Sequence, residues 1–87
     1  MSICEYEEND MIRSFKNNIS IISGNTTFQY TNKNMYPMIC TISNVNKNTD
    51  NVIPPWISSF NNGVSFTVTN QSAYPIFISI VLIFVPP

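Results

Sequence analysis

A ten-residue pattern, Phe-x-x-Thr-Asn-x-x-x-Tyr-Pro, stands at residues 28–37 of this chain and again at residues 66–75. Laid without a gap at an offset of 38, residues 17–45 match residues 55–83 at Ile19/Ile57, Ser20/Ser58, Phe28/Phe66, Thr31/Thr69, Asn32/Asn70, Tyr36/Tyr74, Pro37/Pro75 and Ile42/Ile80. Similarity at a fixed period marks one supersecondary unit used twice. The 87 residues make a single domain, because a second would leave neither with a core. Each copy has room for three short strands and reads as a meander.

The local chemistry supports that reading. Strands are expected at 18–22 and 56–60, then at 26–31 and 64–69. The turns between them, Ser23-Gly24-Asn25 and Asn61-Asn62-Gly63, hold the only two glycines, where positive φ is easiest. The second strands alternate, with Phe28 and Tyr30 facing one way in the first copy and Val64, Phe66 and Val68 in the second. Pro37 and Pro75 open the third strands, where a missing N–H costs least. The expected organisation is an N-terminal arm (1–16), a first meander (17–45), a linking loop (46–54) and a second meander (55–87). Met11, Ile12 and Phe15 lie at helical spacing, so the arm has room for one short helix.

Composition agrees. Ala and Leu occur once each, whereas Ile, Val, Thr, Phe, Tyr and Trp total 37 residues, a strand-forming alphabet. The expected fold is all-β, a small β-sandwich or jelly-roll of about six to eight antiparallel strands.

The third strands differ between the copies. In the first, Met38, Cys40 and Ile42 share the expected core face, opposite Ile39, Thr41 and Ser43. In the second, Ile76, Ile78, Ile80, Leu82 and Phe84 form the core face, and the other face carries Phe77, Ser79, Val81, Ile83 and Val85. A strand apolar on both sides must be covered on both sides. The face with Phe77, Val81, Ile83 and Val85 is therefore either a sandwich interior or a contact with another subunit, and these four are the expected oligomer interface. The ten residues between prolines, nine of them apolar, are too few for a spanning helix, which needs about 20, and a lone strand leaves its backbone unpaired in lipid. No membrane insertion is expected.

Several chemistries are excluded. Histidine is absent, and no charged side chain follows Asp50. The usual general base, the hydrolase triads and the commonest metal ligand are thereby missing. Glu5, Glu7, Glu8 and Asp10 sit in the arm as a solvated acidic tail, with no calcium-loop spacing. Two glycines cannot build a phosphate loop. The expectation is no enzyme, no catalytic residue, no metal and no cofactor. A net charge of −1, with Arg13, Lys16, Lys33 and Lys47 scattered, gives no footprint for nucleic acid.

Cys4 and Cys40 are too few for a zinc site without histidine. Cys40 reads as a small buried hydrophobe, and both cysteines stay thiols in a reducing cytosol. Outside the cell, Cys4 and Cys40 are candidates for a disulfide within or between subunits. Trp56, after Pro54 and Pro55, reads first as an anchor for a small core and alternatively as a surface for stacking a sugar. Tyr36 and Tyr74 are expected to pack on their prolines or close a meander end. Asn32 and Asn70 are expected to bond turn backbone. The three Asn-x-Ser/Thr triplets, at Asn18, Asn25 and Asn70, read as coincidence in so Asn-rich a chain.

Over Phe66-Thr67-Val68-Thr69-Asn70-Gln71-Ser72-Ala73-Tyr74-Pro75 and the strand that follows, residues 76–85, the chain resembles the C-terminal strands of trimeric phage and virus fibre or spike domains. The resemblance implies a self-assembling structural subunit, a homotrimer meeting other virion or fibre proteins, and it carries over no functional residue. Residues 1–10 lack the basic start and apolar run of a secretory leader. Synthesis in a cytosol and a final place in a virion or extracellular surface assembly are therefore expected. Two alternatives stand beside it: a subunit of a bacterial surface or spore appendage, and a lectin-like module binding surface glycans.

Overall fold

The computed structural model describes residues 12–44 and 53–85. Six strands follow in order: β1 (Ile12–Ile21), β2 (Gly24–Gln29), β3 (Met35–Asn44), β4 (Trp56–Asn61), β5 (Ser65–Asn70) and β6 (Ile76–Phe84). They pair antiparallel in two three-stranded sheets, ordered β1-β6-β3 and β2-β5-β4. The described residues contain no helix. The all-β, sandwich-like expectation is therefore met.

Side-chain alternation explains why the two central strands hold the core. In β5, Phe66, Val68 and Asn70 are buried, and Ser65, Thr67 and Thr69 lie between them on the outer face. In β6, Ile76, Ile78, Ile80 and Leu82 are buried inside. Fully burying each such side chain is worth about 1.5–3 kcal/mol, so β5 and β6 carry much of the stability. Ile21, Tyr30 and Met35 complete the buried cluster, with Phe15, Phe28 and Tyr74 packed against it. Around Phe66, the rings of Phe15, Phe28 and Tyr30 lie with centroids 5.5, 5.3 and 5.8 Å away.

The topology corrects the meanders. Neither β1 and β2 nor β2 and β3 are hydrogen-bonded neighbours, and only β4 and β5 form a hairpin. Each copy is split between the sheets instead. The repeat still leaves a trace in the register, since Phe28 lies opposite Phe66 and Thr41 opposite Ser79, both pairs at the repeat offset. Equivalent strands of the two copies thus pair about their matching residues. The outer strands break this relation, because β1 joins β6 whereas β4 joins β5.

Two further expectations are corrected. The helical spacing of Ile12 and Phe15 lies on β1, a strand of 10 residues. Bulges at Ser14/Lys16 and Lys16/Ile19 break its period-two pattern, and Phe15 reaches the core from the first. A bulge between Ile39 and Thr41 likewise resets the phase of β3. Ahead of it Met38 is half exposed and Ile39 packs on the core, the reverse of the expected assignment. Val64, assigned to the core, is also exposed. Pro37 lies two residues into β3 rather than opening it, on an edge strand of the kind that tolerates a missing donor.

Loop chemistry closes the ends. The Asn61–Val64 turn is closed by Val64 N donating to Asn61 O at 2.9 Å, with Gly63 at φ 77°. Asn34, at φ 62°, donates its N–H to Asn62 Oδ1 (2.9 Å) and accepts from Val85 N (2.8 Å). At the other end, buried Asn70 donates from Nδ2 toward the carbonyls of Ile21, Ile22 and Tyr74 and accepts from Ser72 N. Asn70 is consumed by structure, as expected, so its Asn-x-Ser triplet offers no accessible amide. Asn32, its counterpart in the repeat, is exposed. The Tyr36 ring meets Phe60 edge-on at 4.9 Å, bridging β3 and β4 rather than packing on its proline.

Candidate functional site

With the core shared between the sheets, each sheet turns one face outward. The β3 and β6 segments of the first sheet contain no charged residue. On its outer face the register aligns Ile83 with Ile12 and Val81 with Ser14 and Met38. Nearer the other end Phe77 lies between Ser20 and Ser43. Of the four residues expected to meet another subunit, Phe77 and Ile83 are half-buried and Val85 is exposed. Val81 is 1% exposed within the single chain, which removes it from any surface offered to a partner. Met38, at 50% exposure, enters the surface in its place through the β3 bulge that the repeat pattern conceals.

Ser79 divides this face. The β1 bulge at Asn17–Asn18 and the β3 bulge flank it on opposite sides. Asn18 N donates to Ser79 Oγ (3.0 Å), and Ser79 Oγ donates to Asn17 Oδ1 (2.9 Å). Asn18 takes φ 56°, a conformation that Asn tolerates better than most residues. Thr41, Ser43, Phe77 and Ser79 border a recess of about 270 Å³ here. It is open, its lining mixes polar groups with Ile42, Phe77 and Ile78, and it presents no titratable side chain.

The second sheet presents a different outer face. Trp56, Thr69 and Asn25 lie in one row across β4, β5 and β2. Ser59, Thr67 and Thr27 form the next row, and Asn61, Ser65 and Gln29 the third. Eight of these nine side chains are hydroxyls or amides, and none is charged. They bond one another: the Thr27 and Thr67 hydroxyls are 2.9 Å apart, and Thr69 Oγ1 donates to Asn25 Oδ1 at 2.8 Å. A bulge at Ser58 brings its hydroxyl within 2.6 Å of that of Thr69. The ninth residue, Trp56, is 54% exposed. It is not the core anchor that its Pro-Pro lead predicted; Phe66 and its ring neighbours do that work.

Cys40 is buried, as expected, and disulfide-bonded, the alternative raised for a location outside the cell. Cys4 lies outside the described residues, as do the arm carboxylates and Asp50. Among the described residues there is no carboxylate side chain and no cluster of His, Cys, Asp or Glu that could hold a metal ion. No helix among them is long and apolar enough to cross a membrane. Every buried side-chain nitrogen or oxygen among them has a hydrogen-bond partner. Comparison with protein-family models, with curated proteins and with solved structures gave no significant match.

Proposed function

We propose that this chain is a non-enzymatic structural subunit that self-assembles, as a component of a virion fibre, spike or capsid-associated structure. The observation that carries the reading is the outer face of the first sheet. Two adjacent strands without a charged residue leave Met38 and Val85 exposed beside half-buried Phe77 and Ile83. Apolar surface of this kind, on a domain this small, gains stability by meeting a second copy. The resemblance of residues 66–85 to trimeric fibre domains favours three chains. The disulfide at Cys40 fits a final location in an oxidising environment, whether virion or cell surface.

Light scattering at micromolar concentration tests this. The wild-type mass is expected at a multiple of the 9.9 kDa chain, with three favoured. Met38→Asp and Ile83→Asp each replace apolar contact by a carboxylate and are expected to weaken association by about tenfold or more, since each buried side chain contributes about 1.5–3 kcal/mol. Thr41→Asp, among the polar groups near Ser79, should leave the mass unchanged. Val81→Asp is uninformative because it would unfold the chain. A monomeric wild type, or an Ile83→Asp variant that stays fully assembled, rejects the reading.

A further inference from the structure

We infer that the outer face of the second sheet is a binding site for an uncharged glycan, with Trp56 as its stacking platform. The inference is independent of self-assembly, which rests on the other sheet. Three features of the face point to this ligand. The first is the exposed indole at the end of a registered row, beside Thr69 and Asn25. A large aromatic left in water on so small a domain loses the burial that would otherwise justify it. The apolar face of a pyranose ring covers such an indole, while the sugar hydroxyls remain free to bond the neighbouring rows.

The second feature is the chemistry of those rows. Hydroxyls and amides each donate and accept, which matches the dual character of sugar hydroxyls. No ionisable side chain is present among the nine positions, so nothing selects a phosphate, a nucleic acid or an acidic sugar. The third feature is preorganisation. Contacts between Thr27 and Thr67, Thr69 and Asn25, and Ser58 and Thr69 hold the side chains on two rigid rows before a ligand arrives. Groups already fixed lose little entropy on binding. An apolar partner finds no matching surface here beyond Trp56 itself.

The chain has a single tryptophan, so its fluorescence reports on this face alone. The experiment titrates neutral hexasaccharides of glucose, mannose, galactose and N-acetylglucosamine into the full chain, reading Trp56 emission and, in parallel, calorimetric heat. The expected result is saturable binding of at least one series with a blue-shifted emission, at an affinity unchanged by added salt. Trp56→Ala should weaken calorimetric binding by at least about tenfold, as loss of a central aromatic contact does. Thr27→Val, which keeps the side-chain shape and removes the hydroxyl, should weaken it severalfold without changing the melting temperature. The inference is overturned if no series shifts the emission at millimolar concentration, if binding survives Trp56→Ala, or if only acidic glycans bind in a salt-dependent manner. It is equally overturned if Trp56→Ala lowers the oligomeric mass, which would make this face a subunit contact. A monomeric wild type that still binds would reject the assembly reading and leave this one standing.

Discussion

Asn70 and Asn32 occupy equivalent places in the repeated pattern and have opposite fates. Asn70 is 1% exposed, and its amide joins the end of β1 to the loop before β6 through three backbone carbonyls and the Ser72 N–H. Ser72, also buried, accepts from Ile53 N and receives Ser23 Oγ at its carbonyl. Removing one buried partner leaves several groups unsatisfied, at about 1–3 kcal/mol. Asn70→Ala is accordingly expected to lower unfolding free energy by about 2–3 kcal/mol in urea titrations. Asn32→Ala, at an exposed position, should stay within about 0.5 kcal/mol of wild type. Equal effects would show that the Asn70 network adds nothing beyond ordinary turn chemistry. Both asparagines were visible as turn residues in the sequence. Which one lay inside was not, because burial depends on what packs over the turn.

The strands show where local pattern suffices and where bulges defeat it. β5 alternates without interruption, and in β6 the expected inner residues Ile76, Ile78, Ile80 and Leu82 are buried, although Ser79 and Val81 on its other face are buried too. β1 and β3 carry bulges, each of which shifts the side chains beyond it by one position. That is why Met38 emerged at the surface and Ile39 turned inward. Turns can be tested at this scale as well. A Cβ on Gly63 would stand 2.8 Å from Lys33 Cγ at φ 77°, whereas one on Gly24, at φ 107°, meets nothing within 4 Å. Gly63→Ala should cost about 1–2 kcal/mol from backbone strain plus that contact. In a Lys33→Ala background the cost of Gly63→Ala should fall, while that of Gly24→Ala should not change. A double-mutant cycle by chemical denaturation measures the difference, and additivity at Gly63 would mean that Lys33 simply moves aside.

At the scale of the molecule, the two sheets depend on one aromatic cluster. Phe66, 0% exposed, touches Phe28 on its own sheet and Phe15 from the other. Phe66→Ala removes the centre of that cluster, at about 3–5 kcal/mol for a buried aromatic. Against a total of about 0.05–0.15 kcal/mol per residue, this is a large share of the stability. Thermal melts followed by circular dichroism should show a loss of cooperative unfolding or a strongly lowered midpoint. Phe60→Ala, on an exposed edge ring, should be milder. A Phe66→Ala variant that melts like wild type would place the core elsewhere.

The sequence by itself determined the class of the fold, a strand count that the six strands among the described residues meet, the turn at Gly63 and the inner residues of β5 and β6, whereas Gly24, expected in a turn, opens β2. These follow from short-range physics: β-branched and aromatic residues favour strands, positive φ favours glycine, and alternation marks a half-buried strand. It also showed Thr67 and Thr69 opposite Phe66 and Val68. Only the tertiary structure decided that Asn25 and Thr27 stand beside them in register, and that Trp56 closes one row. It alone decided that the repeat is split between sheets, that on one outer face Val81 is buried while Met38 beside it is half exposed, and that Cys40 is disulfide-bonded. The physical reason is that strand partnership and bulge position are set by contacts between residues far apart in the chain. A pattern read along one strand carries no record of which strand will lie next to it.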